Sequence, residues 1–324
     1  MPGTHSYIYG RPGVRSQDAS RRRLGLAALA GLLALVVCDP GQARGPKGAR
    51  DADMQTAVSQ AHKRYKPDGS GAIPDSVPTG TKISPDLYGV VIVRVNGKVF
   101  EAGDTRVPFV LTAVAAPFTA ALVAEQQGGA GASNPLDLEG AITTVSLVKP
   151  QHDPDAKWRA LLGNLGAFAG RELVLDEGMY RSAGAATASV RETARRLASQ
   201  GRLQDDADVT ADLFVKQGVV TLTARDLAIM AATLANDGRN PMNGKAVVKP
   251  EVGKTLEALV AASGLKNVGM TAMAGKGGAI IAIVPGRMGI ATYSPPLDSA
   301  GNSVRGQRAI KYLSQALQVN LSQN

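Results

Sequence analysis

Apolar and polar positions are patterned most clearly near the two ends of the chain. Residues 88–103, YGVVIVRVNGKVFEAG, form two β-rich runs about Asn96-Gly97, and residues 277–294, GGAIIAIVPGRMGIATYS, form a second pair about Pro285-Gly286. Each reads as a hairpin, because Asn-Gly and Pro-Gly supply the turn dihedrals that strand residues avoid. Between these ends the period changes to that of helices. ASVRETARRLASQGR (188–202), ADVTADLFVKQG (207–218) and TARDLAIMAATLANDG (223–238) are amphipathic or apolar helical segments, and SVRGQRAIKYLSQALQV (303–319) adds another near the C-terminus. Thr223 is placed as an N-cap and Gly238 as a C-cap. Terminal strands around a helical middle predict an α+β fold. No internal repeat interrupts it, and the low-complexity stretch QQGGAGASN (126–134) reads as a loop.

The first 43 residues follow a different pattern. SRRRLGLAALAGLLALVVCDPGQA places arginines before an apolar run from Leu24 to Val37 and small residues after it, the arrangement of an export leader, and the paired arginines also fit twin-arginine export. The run falls short of the ~20 residues a bilayer span requires. Cleavage after Ala43 predicts a periplasmic or secreted protein; lipid attachment at Cys38 is the alternative, which would tether the chain to a membrane. Cys38 is the only cysteine, so a chain that begins near Arg44 has neither a disulfide nor thiol chemistry. The reading divides the chain into a leader (1–43), an N-terminal extension with a helix (44–70) and a main domain (71–324).

Composition adds mostly exclusions. The chain is 44% hydrophobic and 19% charged, enough to bury a large core. Its formal net charge of +9 falls once the five arginines and two aspartates of the leader are removed, and no basic cluster is interleaved with aromatics, which argues against a nucleic-acid partner. His5, His62 and His152 are scattered without metal-ligand spacing, so neither a metal nor another cofactor is expected.

Two segments carry a resemblance. TARDLAIMAATLANDGRNP (223–241) and SPPLDSAGNSVRG (294–306) are similar to signature stretches of the bacterial serine-dependent glutaminases, and DLYGVVIVRVNGKVFEAGDT and NPLDLEGAI follow the same family's flow. The similarity runs from about His62 to Leu313. It implies the fold of penicillin-binding proteins and serine β-lactamases: an antiparallel sheet built from the terminal strands, flanked by helices, with a mainly helical subdomain. Glutaminases of this kind are generally oligomers, which makes a homo-oligomer an expectation here.

The resemblance also implies a chemistry that the residues do not supply. The family places a Ser-x-x-Lys motif at the start of a buried helix, where the lysine activates the serine for attack on the glutamine amide. Continued without a gap from Gly103, the alignment puts Ala113 at the serine and Ala116 at the lysine. Asn134 and Gly140 persist in NPLDLEGAI, but the family's substrate-holding asparagine becomes Leu138. Its substrate-binding glutamate becomes Ala183, a following asparagine falls at Val190, and a tyrosine near the nucleophile becomes Phe214. Its late lysine and serine become Met273 and Ala274, and a tyrosine-containing segment is missing around ASGLKNVG (262–269).

These replacements predict a catalytically degenerate member of the family, acting as a binding or scaffold module. The alternatives are an active amidohydrolase using other residues and a lipid-anchored structural protein of the envelope. Ser263 and Lys266 form a second Ser-x-x-Lys, but a glycine lies between them and short motifs recur by chance. Lys276 is more suggestive: penicillin-binding proteins use a Lys-x-Gly at the edge of the site, and here it could hold an anion. The residues lead to two geometric expectations. An apolar cavity should survive, lined by Ala113, Leu138, Ala183 and Phe214, with Lys276 at its rim. The helix should begin only at Pro117, because a proline disfavours helical geometry at the residue before it, leaving Ala116 extended.

Overall fold

The computed structural model describes residues 50–73, 83–128 and 134–319. The leader segment (1–43), Cys38 included, lies outside them. In chain order the elements are α1 (Asp51–Tyr65), β1 (Gly89–Arg94), β2 (Val99–Gly103), β3 (Phe109–Val110), a 3₁₀ turn (Thr112–Ala115), α2 (Ala116–Gln127), α3 (Leu138–Leu147), α4 (Pro154–Ala169), β4 (Val174–Leu175), α5 (Glu177–Ser182) and α6 (Gly184–Ser199). They continue as α7 (Ala207–Gly218), β5 (Val220–Leu222), α8 (Ala224–Ala235), α9 (Pro250–Ser263), β6 (Thr271–Ala274), β7 (Ala279–Val284), β8 (Met288–Tyr293) and α10 (Val304–Ala316).

The α+β architecture follows from the two hairpins. β1 and β2 turn at Gly97, whose φ is 84°, and β7 and β8 turn at Gly286, whose φ is 65°. β1 then pairs with β8, Ile92 opposite Ile290, so the two ends of the chain close one antiparallel sheet in the order β2-β1-β8-β7-β6. The central strands β1, β8 and β7 are buried at every position except Arg94 because both faces are covered. Val91, Val93, Ile281, Ile283 and Ala291 face a core shared with α8, while Val90, Ile92, Ile280, Ala282 and Ile290 face α1 and α10. α1 therefore packs in the same compact unit as the rest of the chain from Lys47 onward. A three-stranded sheet, β3-β5-β4, links the helical part to the main sheet. Among the described residues no helix is long and apolar enough to cross a membrane.

α8 begins as its sequence predicts. The Thr223 hydroxyl accepts from the Asp226 amide, and the Asp226 carboxylate accepts in return from the Thr223 amide at 2.9 Å, which closes a capping box. It ends slightly earlier than the Gly238 cap would place it, with Asn236 as C-cap. Asp237 takes the left-handed conformation at φ 52°, and the Gly238 amide reaches back to the Thr233 carbonyl at 3.0 Å. This is a Schellman closure in which aspartate takes the residue position usually given to glycine. Gly238 is required for another reason, since a Cβ there would meet the Val248 carbonyl oxygen at 2.4 Å.

The helical part contains one buried ion pair. Lys157 on α4 is fully buried, and its ammonium donates to the Ser146 carbonyl at 2.9 Å and to Asp205 at 2.5 Å, with the Asp205 side chain 2% exposed. Burial pushes the Asp205 carboxyl up, but hydrogen bonds from Lys157 and from the amides of Asp206 and His152 outweigh this and hold it below the ordinary aspartate value. Removing the cation alone strands a buried carboxylate. Lys157→Met is expected to cost about 3–5 kcal/mol in urea unfolding, and Lys157→Met with Asp205→Leu to recover most of it. Because the folded carboxyl titrates below its unfolded value of about 3.9, its contribution is fully present above that pH and is lost as pH falls through the folded value. The double variant should lack this part of the acid limb.

Candidate functional site

The segment FVLTAVAAPF (109–118) lies where a β-strand passes into a core helix. β3 pairs with β5, and the Leu111 amide continues the ladder to the Val220 carbonyl at 3.0 Å. The next residue breaks it: Thr112 has φ 53°, a left-handed conformation that a β-branched side chain strongly disfavours. Strain of this kind costs on the order of 1–3 kcal/mol and collects at functional sites. From there the backbone winds through the 3₁₀ turn into α2.

This winding corrects the expectation built on Pro117. Ala116 is helical, at φ −53° and ψ −47°, its amide bonds to the Ala113 carbonyl, and α2 begins at Ala116 rather than at Pro117. A proline in the first turn sacrifices no hydrogen bond, because first-turn amides have no acceptor within the helix. Its steric bias against a helical predecessor is modest beside the burial of Val114, Ala115, Ala116 and Phe118 in the core. Ala113 and Ala116 therefore lie one turn apart, Ala113 exposed and Ala116 buried, with only methyl groups on both.

The loop after β6 closes over this turn. A Cβ at Gly275 would lie 2.5 Å from Val114 Cγ2 and 2.9 Å from Thr112 Oγ1, and one at Gly277 would lie 2.9 Å from Thr112 Cγ2, so the two glycines make room for the Thr112 and Val114 side chains. Met273 points into the core shared with α8, and Ala274 packs toward the opposite face of β6. Lys276 is exposed at the tip of the loop. The Thr112 hydroxyl is buried without a partner among the described residues.

The other positions lie on α3, α6, α7 and the junction of α5 and α6. Ala183 is buried at the junction of α5 and α6, where its carbonyl accepts from the Thr187 hydroxyl at 3.0 Å. Phe214, on α7, packs into the core, and Val190 joins it against Ile142, Ala194, Leu197 and Ala211. Leu138 is 50% exposed at the start of α3. Phe214 packs against its core neighbours and so fills space that would otherwise cost stability as a void. A cavity of about 430 Å³ does include Leu138, but Asn134, Asp137, Glu139, Thr193, Arg196 and Arg202 line it as well, and Lys276 does not.

Beside Ala183 and Phe214, side chains that the sequence did not single out form a charged cluster. The Tyr180 hydroxyl donates to Asp212, Asp212 pairs with Lys216 at 2.9 Å, and the Lys216 ammonium sits 5.3 Å from the centre of the Tyr180 ring. Burial, and then the bond to Asp212, push the Tyr180 hydroxyl up to about 12, so it stays protonated at neutral pH. The i,i+4 spacing of Asp212 and Lys216 was readable on a helix, whereas Tyr180 joins only through the tertiary fold. No group of three or more His, Cys, Asp or Glu side chains among the described residues is placed to hold a metal ion. The Ser-x-x-Lys match at Ser263 ends α9, and the Lys266 ammonium donates to the Ala262 carbonyl at 2.9 Å.

The match to known proteins is extensive. The sequence pattern of the family described as Glutaminase covers residues 71–133 and 130–321. Glutaminase 2 of Yersinia pestis is 35% identical over 298 residues, spanning 82% of this chain and 87% of that protein. The chain belongs to the glutaminase family. A glutaminase of Mycobacterium ulcerans is 34% identical over 310 residues, covering 85% of this chain and 97% of its own. Among solved structures, a probable glutaminase superposes with a TM-score of 0.82 at 30% identity, over 85% of this chain and all of that one. A probable glutaminase from Bacillus subtilis, complexed with 6-diazo-5-oxo-L-norleucine, shares the fold with a TM-score of 0.77 at 23% identity, over 82% of this chain and 96% of its own. The α+β architecture is thus that of the glutaminases.

The contact between the glutaminase-family turn and the 275–277 loop is testable. Gly275→Ala forces a methyl against Val114 and Thr112 and should cost about 1–3 kcal/mol in denaturant unfolding. Val114→Ala in the same chain should return part of that loss, since the two sites touch and their effects are not additive. Additive costs would show that the loop does not rest on the turn.

Proposed function

We propose that this glutaminase-family chain does not hydrolyse glutamine and acts as an exported binding or scaffold module. The observation that carries the reading is the turn from Ala113 to Ala116, which winds into α2 with the two positions one turn apart, yet presents two methyl groups. Geometry without a nucleophile or base gives no acyl transfer, and loss of such a nucleophile typically lowers turnover on the order of a million-fold. The side chains at Leu138, Ala183, Val190 and Phe214 give a glutamine head group no polar partner, and a buried polar group without one costs about 1–3 kcal/mol. Met273 and Ala274 continue the pattern. The replacements are apolar, so none leaves a buried charge unpaired.

One observation favours the second reading, an active glutaminase: the relatives bear that name. Ammonia release from glutamine by the purified chain decides between them. The expected rate is background, and Ala113→Ser with Ala116→Lys should remain there, since the backbone is in place but substrate groups are not. Adding Leu138→Asn, Ala183→Glu and Phe214→Tyr should raise the rate above the double variant. Hydrolysis by the unmodified chain overturns the proposal. Export is checked separately by N-terminal sequencing of the cellular product: a start at Arg44 supports the periplasmic or secreted form, and a lipid-labelled start at Cys38 supports the membrane-anchored alternative.

A further inference from the structure

The two ends of α1 are held on the sheet by different chemistry. At the N-terminal end Asp51 pairs with Arg94 and Lys98 of the β1–β2 hairpin. Along the helix Met54, Ala57, Val58 and Ala61 bury one face against the sheet and α10, and His62 follows in the last turn. The His62 imidazole stacks on the fully buried Tyr88 ring, with centroids 5.0 Å apart and planes 15° apart. Gly103 presses against it: a Cβ there would lie 2.3 Å from His62 Nε2 and 2.5 Å from Cδ2. Nε2 is buried and has no hydrogen-bond partner among the described residues. The Tyr88 carbonyl close to it already accepts from the Asp104 amide at 2.9 Å.

The charges around this imidazole work against a proton on it. Lys66 at the end of α1 and Arg305 at the start of α10 are cationic, and Asp104 just after β2 is the opposing carboxylate. Asp104 is shared, since it accepts from the Tyr88 amide at 2.9 Å and lies 3.5 Å from the Lys66 ammonium. Arg305 is 3% exposed, its guanidinium is 5.6 Å from the centre of the Tyr88 ring, and it donates to the carbonyls of Lys66 and Pro85. Elsewhere on α10, Arg308 is engaged by Asp68 and the Tyr312 hydroxyl donates to Gln60. On β2 the Glu101 carboxylate pairs with Arg106 and Arg225. Burial holds the His62 imidazole below its ordinary value, and Lys66 and Arg305 add to this; the Tyr88 carbonyl and Asp104 pull the other way and are outweighed.

We propose that His62 is an acid-sensitive latch for α1: the neutral imidazole keeps the C-terminal end of the helix on the sheet, and the protonated one releases it, uncovering Val58, Ala61 and Tyr88. Because the folded imidazole titrates below the unfolded value of about 6.5, its contribution is fully present above that pH. It is lost as pH falls from there to the folded value, by at most about tenfold in the docking equilibrium per pH unit. Hydrogen bonds from Lys98 and Arg94 hold the Asp51 carboxyl below its ordinary value, so the N-terminal end stays tied in acid that opens the latch. The latch uses none of the positions that carried the family's chemistry, and it stands whether or not the chain hydrolyses glutamine.

Hydrogen exchange of the purified chain, read by mass spectrometry and corrected for the pH dependence of intrinsic exchange, tests it. Between about pH 7.5 and about pH 5, opening of residues 58–66 should rise several-fold, while β8 stays unchanged. His62→Phe keeps a ring for the stack and carries no proton, and should flatten this dependence. His62→Gln, a smaller side chain, should do the same, so the test survives if the larger ring is not accommodated beside Gly103. In the parent chain the His62 ring should titrate by NMR below about 6.5, and Lys66→Met should move that midpoint upward. The inference is overturned by opening of α1 that does not change with pH, by a His62 midpoint at or above about 6.5, or by a pH dependence that survives both substitutions.

Discussion

Helix α8 and strand β8 approach so closely that only a hydrogen fits between them. A Cβ at Gly289 would lie 2.1 Å from the Ala232 amide nitrogen and 2.5 Å from the Ala231 carbonyl carbon. The helix can come this near because its contact face is built of alanines, and it must, because all of its residues except Arg225 are buried. Its ends are fixed as firmly. Arg171 forks onto Asp226 at 2.9 and 2.6 Å, Arg225 reaches Glu101 on β2 at 3.2 Å, and the Ala235 carbonyl accepts from the Gly286 amide in the β7–β8 turn. With α8 locked to the sheet, the 3₁₀ turn, α2 and α4 are packed around it in one core.

That frame holds the turn at Thr112 whatever side chains follow it. The turn at Thr112 is set by the β3–β5 ladder on one side and by the core burial of α2 on the other, and neither depends on what Ala113 or Ala116 carries. The strain at Thr112 persists because its surroundings over-determine it. The side chains at Phe214, Val190 and Ala183 are set by packing instead, the first two against neighbouring core clusters and Ala183 buried at the junction of α5 and α6.

What the sequence disclosed follows the same division. Signals confined to a few neighbouring residues were legible: the Asn96-Gly97 and Pro285-Gly286 turns, the Thr223 cap, and the segments 188–202 and 207–218, which became α6 and α7. α4 had its own signals in Asp153, Pro154 and Gly170, which cap, open and close it, although its interior is too mixed to announce a face. Where local preference and tertiary packing compete, the local signal misleads, as the bias before Pro117 did at Ala116. The shape of the cavity was not legible at all. It depends on Glu139 meeting arginines more than fifty residues away, Arg196 and Arg202, and on the outward direction of Leu138, and neither is written in the spacing of a single element.

The pairing of β1 with β8 has a consequence for how the chain is made. Val90 to Val93 form one of the most apolar runs in the protein, and their partners on one side belong to β2, a few residues away, but on the other to residues 289–292. At ribosomal rates of about 5–20 residues per second, β1 waits roughly 10–40 s with one edge unpaired before β8 leaves the exit tunnel. The last strand to be synthesised is thus the one that seals the middle of the sheet. A nascent chain stalled anywhere before Met288 carries an open, sticky strand edge, which makes the emerging polypeptide a natural client for a chaperone long before it has a fold of its own.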